Sequence, residues 1–132
     1  DLAATYQFSH HFSLRTKYSM VRATSRASGE PLPFIPPDRL ENTLRYHAHH
    51  WLGLDDIYIS LGNVYVAKQW RLLPNSDYAP PPGAYMLFDA EMGFSVPGVK
   101  NLDVGITVNN LLNTRYRNYL NRFRYYTDAL GR

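Results

Sequence analysis

The stretch Leu102-Asp-Val-Gly-Ile-Thr-Val108 is followed directly by Asn109-Asn-Leu-Leu-Asn-Thr-Arg-Tyr116. The first part alternates between apolar and polar side chains, which is the pattern of a β-strand with one apolar face. The alternation stops at the asparagines, and a segment rich in arginine and tyrosine begins. An apolar strand face and a basic, aromatic segment therefore meet at one point of the chain.

Five other segments share this period-two pattern. With residues 102–108 they make six predicted strands, the other five being residues 2–8, 12–20, 39–49, 57–66 and 85–96. No segment has a convincing helical period. Short and long connections alternate, and the last pair of strands is expected to form a hairpin of residues 84–96 and 102–113 around Pro97-Gly-Val-Lys100. The pattern predicts an all-β fold, an antiparallel up-and-down meander with plain turns at one end and long loops at the other.

Composition limits the alternatives. The chain has 132 residues, no cysteine, eleven tyrosines and a formal net charge of +3. This length suits one domain, and the lack of cysteine excludes disulfides and thiolate metal sites. No apolar run approaches the roughly 20 residues of a membrane helix, and the N-terminus lacks the features of a signal peptide. We therefore expect either a cytoplasmic protein or an internal piece of a longer one.

The two faces of the predicted strands differ sharply in charge. Lys and Arg are absent from the apolar face, where Asn42 and Asn63 are the only strongly polar residues. The other face carries several charged side chains, namely Arg15, Lys17, Arg45, His47, Asp89, Glu91 and Asp103. A midplane Lys or Arg facing lipid costs about 2–4 kcal/mol, whereas the lumen of a barrel tolerates charge. The pattern favours a transmembrane β-barrel over a soluble all-β domain.

Three motifs resemble those of TonB-dependent outer-membrane receptors. Pro31-Leu-Pro-Phe-Ile-Pro-Pro-Asp-Arg-Leu40 resembles the "PLPxIPPxRL" entry to a late barrel strand, and the end of Leu102–Tyr116 resembles the "GVxNLFDxxY" strand exit. The closing Leu130-Gly-Arg132 is similar to the "PGR" before the final strand. The chain departs from the family at Asn113, where Asp is usual, and at Ala129-Leu130, where Pro precedes the glycine.

The resemblance implies a location in the bacterial outer membrane. Residues 1–132 would be a fragment of the receptor barrel, about six late strands of a barrel of about 22 strands, without the plug domain and the final strand. Implied partners are outer-membrane lipid and lipopolysaccharide, a periplasmic TonB-type energy-coupling protein that acts through the plug, and a nutrient ligand. An iron chelate such as a siderophore or haem is the favoured ligand. Leu102–Val108 would run outward, so that the asparagines mark its exit from the apolar band.

The segment after this exit is the predicted ligand-binding loop. Arginine pairs with anionic oxygens and aromatic faces stack on flat ligands, which suits an anionic iron chelate. The predicted ligand-binding residues are Arg115, Arg117, Tyr119, Arg122, Arg124, Tyr125 and Tyr126. The alternative is that these side chains pack the loop and contact lipopolysaccharide phosphates. The apolar strand faces argue against nucleic acid as a partner.

Other polar clusters have simpler interpretations. The cluster of His47, His49 and His50 is interpreted as solvated lumen histidines rather than a metal site, since a metal needs a further ligand with suitable geometry. Asp89 and Glu91 are expected to form ion pairs in the lumen with residues such as Arg45 or Lys68. No catalytic constellation, phosphate loop or nucleotide motif is present, so we expect neither an enzyme nor a cofactor. A passive porin, a structural barrel and a soluble all-β binding domain stay open as alternatives.

Overall fold

The computed structural model describes residues 1–73, 77–98 and 102–131. They form one six-stranded antiparallel sheet in which every strand pairs with its neighbour in the sequence. The strands are β1 (Leu2–Gln7), β2 (Phe12–Ser19), β3 (Arg39–Trp51), β4 (Leu54–Val66), β5 (Tyr85–Ser95) and β6 (Asp103–Val108). The predicted all-β meander is confirmed.

The turn between β3 and β4 is tighter than the sequence predicts. We expected a turn at residues 50–55, but both strands continue to a two-residue connection, Leu52-Gly53, whose φ angles are 51° and 77°. Two residues with positive φ suit the right-handed twist of a hairpin. Because of this turn His50 lies within β3, not in a loop, and each of the two strands has 13 residues.

The predicted pairing of β5 and β6 in a hairpin is also confirmed, since Ser95 pairs with Asp103 and Ala90 with Val108, but β6 ends at Val108 and not at residue 113. Pro97 and Gly98 form part of its turn, while Val99 and Lys100 lie outside the described residues. Gly98 has a φ of 81°, a conformation that costs glycine little.

The pairing register sorts the side chains into continuous rows. One row crosses the whole sheet through directly paired residues, namely Tyr6, Leu14, Leu44, Leu61, Ala90 and Val108. A second apolar row contains Phe12, Tyr46, Ile59, Met92 and Ile106. Since side chains alternate along each strand, the intervening residues form a polar row on the opposite face. All six strands therefore present their apolar side chains to the same side.

This apolar face is not covered by a second layer. Leu44 is 38 % exposed, Leu61 52 % and Ile106 53 %, and no side chain among the described residues is fully buried. A soluble sandwich would bury such a face against another sheet. The few polar side chains on the apolar face have hydrogen-bond partners within the sheet. Thr16 donates to Asn42 Oδ1 at 2.9 Å, and Asn63 Nδ2 donates to the Leu87 carbonyl at 3.3 Å.

Helical structure in the described part of the chain is limited to one 3₁₀ turn, Arg122–Tyr125. Across the same residues, no helix has the length and apolarity needed to cross a membrane.

β6 ends at Val108 because the asparagines after it build a turn. Asn110 and Asn113 both have a φ of 51°, a left-handed conformation that asparagine tolerates better than most residues. The buried Asn110 side chain accepts from Thr114 N at 2.8 Å and donates to the Thr114 carbonyl at 2.9 Å. Its backbone N–H donates to Asp89 Oδ1 at 2.7 Å, which anchors the turn to β5. The strand exit is therefore a hydrogen-bonded turn that begins before residue 113.

We expect Leu44→Arg to destabilise the protein in lipid vesicles by about 2–4 kcal/mol, because it places a charge in the middle of the apolar face. Thr43→Arg is the matched control, since the neighbouring residue lies on the polar face, and its cost should be less than half as large. The free energies of unfolding from denaturant titration give the comparison. Equal costs at the two positions would contradict this assignment of the faces.

Candidate functional site

Three long loops emerge from one end of the sheet. We name them loop A (residues 20–38), loop B (residues 67–84, of which 67–73 and 77–84 are described) and loop C (residues 109–131). The opposite end of the sheet carries only short turns. The long loops contact one another, and these contacts create the candidate site.

Asp38, the last residue of loop A, connects loops A and B. Arg22 donates two hydrogen bonds to the Asp38 carboxylate, at 2.5 and 2.6 Å, and Tyr18 donates a third at 3.0 Å. The hydrogen bonds from Arg22 lower the pKa of the Asp38 carboxyl group. Burial of the carboxyl group acts in the opposite direction but has the smaller effect. The Asp38 carbonyl accepts from Ala67 N at 2.9 Å, so the same residue holds the start of loop B.

Loops B and C are joined by a buried ion pair. The Arg124 guanidinium contacts the Asp77 carboxylate, and the side chains of Arg124 and Asp77 are only 3 % and 10 % exposed. The Tyr125 hydroxyl donates to the same carboxylate. The guanidinium carbon lies 4.8 Å from the Tyr119 ring centroid and 4.6 Å from that of Tyr125, within cation–π range. We call Asp77, Tyr119, Arg124 and Tyr125 the loop cluster.

Sequence spacing gives no sign of this cluster. Asp77 lies 47 residues before Arg124, in a segment without periodic pattern. Asn121, which is closer to Arg124, sets the local geometry: its side chain accepts from Phe123 N at 2.9 Å and caps the 3₁₀ turn. The turn directs the Arg124 side chain inward, while Arg122 stays exposed.

The predicted ligand-binding residues divide into two groups in the structure. Tyr119, Arg124 and Tyr125 are in the loop cluster, where Tyr119 is 5 % and Arg124 4 % exposed. The exposed group consists of Arg115, Arg117, Arg122 and Tyr126. Arg117 pairs with Asp128 at 2.6 Å, whereas no described carboxylate pairs with Arg115 or Arg122. The second group therefore offers two arginines that are free to meet a ligand.

A depression of about 220 Å³ lies between the two groups. Its lining contains side chains of both, together with one aromatic residue of loop A: Phe34, Tyr119, Leu120, Asn121, Arg122, Arg124 and Tyr125. The packed loops thus form a surface with aromatic, neutral polar and cationic groups in one place.

The polar face of the sheet differs from expectation. The expected ion pairs of Asp89 and Glu91 with Arg45 or Lys68 are not formed, although the structure describes all four residues. Glu91 instead accepts from the Tyr58 hydroxyl at 2.7 Å. Arg45 lies 4.4 Å from the Tyr58 ring centroid, and Lys68 lies 4.5 Å from that of Trp70. Aromatic rings thus lie against these cations where we expected carboxylates.

The histidine cluster is divided between the two faces of the sheet. His50 lies on the apolar side and contacts Asp55 at 2.7 Å. His47 and His49 lie on the polar side with Asp56, and the potential ligand atoms of these three residues are within 4.8 Å of one another. The sequence placed His47 and His49 together correctly, but the interpretation of His50 as a lumen histidine is wrong and Asp56 was missed.

The chain matches a protein-family model over residues 1–111, described as "TonB dependent receptor-like, beta-barrel". This chain belongs to the TonB-dependent receptor family. TonB-dependent receptors are outer-membrane proteins of Gram-negative bacteria, so the apolar face of this sheet meets lipid. Barrels of this type have short periplasmic turns and longer extracellular loops, which puts loops A, B and C outside the cell.

The fold is similar to that of a solved structure named "Copper transporter OprC", with a TM-score of 0.81 and 17 % sequence identity. The match covers 98 % of this chain and 20 % of the transporter, so this chain of the TonB-dependent receptor family spans about a fifth of that protein's length. No curated protein matches the chain significantly. At this identity the similarity confirms the partial receptor barrel as a fold.

We expect Asp77→Asn to loosen loops B and C strongly. It would leave the buried Arg124 without a counter-charge, and breaking one partner of a buried pair costs about 3–5 kcal/mol. Asp128→Asn is the control, because the Arg117–Asp128 pair is about half exposed and worth about 0–1 kcal/mol. Hydrogen exchange of residues 118–127 measures the free energy of loop opening. Similar losses of protection in the two variants would contradict the structural role of the buried pair.

The loop cluster should also respond to pH. Burial alone would raise the pKa of Asp77, but hydrogen bonds from Tyr125 and Arg124 outweigh it and hold this pKa below its usual range. The stabilisation is therefore complete above the ordinary carboxyl pKa of about 3.9, and it is lost as pH falls through the lower folded value. We expect protection of residues 118–127 to be constant from pH 5 to pH 8 and to decrease below about pH 4. In Asp77→Asn this acid-dependent decrease should be absent.

Proposed function

We propose that this chain is part of a receptor for energy-coupled import of a scarce nutrient across the outer membrane. The supporting observation is the packed surface of three long loops at the extracellular end of a TonB-dependent receptor barrel. Import in this proposal is driven by a periplasmic TonB-type protein acting on a plug domain. The polar sheet face would then line the lumen around that plug, and no enzymatic step is involved.

The proposed ligand is an anionic iron chelate, such as a ferric siderophore or haem. The exposed guanidinium groups of Arg115 and Arg122 would pair with its oxygens. Exposed aromatic rings, those of Phe123 at 71 % and Tyr126 at 85 %, are available to stack on its flat portions. The positive charge would also raise the encounter rate with anions. The name of the copper transporter describes that protein, and at 17 % identity its cargo carries no weight here.

We expect Arg115→Ala/Arg122→Ala to weaken the binding of ferric siderophores or haem to the complete receptor by about 2- to 30-fold at low salt, since exposed ion pairs contribute about 0.2–1 kcal/mol each. The difference should shrink at high salt, because ions screen exposed charges. Arg15→Ala/Lys17→Ala, on the lumen face, is the control with an equal charge change. Titrations at two ionic strengths measure the effect. Unchanged affinity in the loop variant would favour lipopolysaccharide contact for these arginines.

Arg124→Ala should behave differently from the exposed variant. Arg124 is buried within the loop cluster, so its loss should weaken binding through disorder of loops B and C, with little dependence on salt. Loss of hydrogen-exchange protection in these loops would accompany it.

A passive porin is the main competing function. Conductance of the complete protein in planar bilayers discriminates between the two, because a porin leaves an open aqueous channel and a plugged barrel does not. A steady open-channel current would overturn the import proposal.

A further inference from the structure

We propose that His47, His49 and Asp56 bind a divalent transition-metal ion such as Zn²⁺ at the periplasmic end of the lumen face. The two histidines are two residues apart on β3, so their side chains share a face. Ala48 pairs with Ile57 and His50 with Asp55, which puts His49 opposite Asp56 across the hairpin. Two adjacent strands thus bring three metal-binding side chains together.

The separations of the three groups fit an ion between them. Asp56 Oδ1 is 3.5 Å from His49 Nδ1 and 4.0 Å from His47 Nε2. Zinc binds nitrogen and oxygen at about 2.0–2.2 Å, so neighbouring ligands of a tetrahedral ion lie about 3.3 Å apart. The ligand atoms need to move by less than about 2 Å to reach this arrangement. The side chains of His47, His49 and Asp56 are 40 %, 87 % and 65 % exposed, which leaves them free to do so.

A second His–Asp contact in the same hairpin provides an internal comparison. On the opposite face His50 Nδ1 and Asp55 Oδ1 are 2.7 Å apart, the distance of a direct hydrogen bond. The His49–Asp56 distance of 3.5 Å is too long for a good one, and a second imidazole points to the same oxygen. His47, His49 and Asp56 therefore surround a common point without a short direct contact, whereas His50 and Asp55 already form a direct hydrogen bond.

The backbone at Asp56 supports the same conclusion. Asp56 has a φ of 47°, a left-handed conformation that Asp adopts more readily than most residues other than glycine. It lies where the pairing of β4 with β5 shifts, between Asp55 and Tyr58. Such irregularities often redirect a side chain next to a functional site. Here the irregularity occurs at the residue that completes the three-ligand group.

The ligand types indicate which metals the site would take. Imidazole nitrogen suits Zn²⁺, Cu²⁺ and Ni²⁺, whereas Mg²⁺ and Ca²⁺ prefer sites built from oxygen. The adjoining depression of about 510 Å³ contains His47 and Asp56 together with Asp103, so water can complete the coordination and a second carboxylate adds negative charge. Asp56 and Asp103 together offset the positive charge of Arg45 in the same depression. This site does not depend on the identity of the imported nutrient.

Isothermal titration of the complete receptor with Zn²⁺ in detergent tests the site. His49→Ala and Asp56→Asn should each weaken the affinity of one Zn²⁺ site by at least about 10-fold. Loss of a residue that only supports a metal ligand already costs about 10- to 100-fold. Asparagine tolerates the left-handed backbone, so Asp56→Asn keeps the hairpin intact even if His49→Ala does not fold. His50→Ala is the matched control, because it removes a neighbouring imidazole from the opposite face and should leave Zn²⁺ binding unchanged.

Visible absorption of the Co²⁺-loaded receptor gives an independent readout of the ligands. The wild type and His50→Ala should share the ligand-field bands of the bound ion, and the bands should shift or vanish in His47→Gln and Asp56→Asn. Equal Zn²⁺ affinity in the wild type, His49→Ala and Asp56→Asn would overturn the proposal. So would an equal loss in His50→Ala, which would indicate non-specific binding to exposed histidines.

Discussion

Backbone hydrogen bonding in hydrocarbon is the constraint on which the rest of this structure depends. A lipid-facing chain finds no water for its N–H and C=O groups, so each strand must pair fully with its neighbours. Pairing also fixes which face each side chain occupies, and a slip of one residue would move all apolar side chains of a strand into the lumen. The row from Tyr6 to Val108 shows that the pairing keeps apolar side chains of all six strands on one face.

The same constraint explains the contrast between the two ends of the sheet. Short turns need only close a ladder, and Leu52-Gly53 does so with two residues of positive φ. The long loops have no ladder to continue, so their order depends on specific contacts. The Asp77–Arg124 pair provides such a contact between loops B and C, and Asp38 provides one between loops A and B. A few polar contacts between the loops thus fix their arrangement on the extracellular side.

The loop cluster also shows that a basic, aromatic sequence has more than one structural interpretation. Arginine next to tyrosine suits both ligand binding and internal packing, because the guanidinium group is favourable against a carboxylate and against a ring. In loop C two neighbouring arginines differ in burial: Arg122 is exposed, whereas Arg124 is buried against the rings of Tyr119 and Tyr125. The short 3₁₀ turn separates the two, since it directs neighbouring arginines to different sides.

The sequence by itself determined the approximate positions of the six strands, the meander order and the apolar face, because period-two alternation is a local signal that every strand repeats. It also determined the exit after Val108 and the common face of His47 and His49 near the end of β3. Only the tertiary structure decided that Asp77 meets Arg124, that Asp56 joins His47 and His49, and that Arg45 lies on Tyr58 instead of pairing with Asp89 or Glu91. These contacts join different strands or loops, and their partners follow from register and loop packing, which no local pattern encodes.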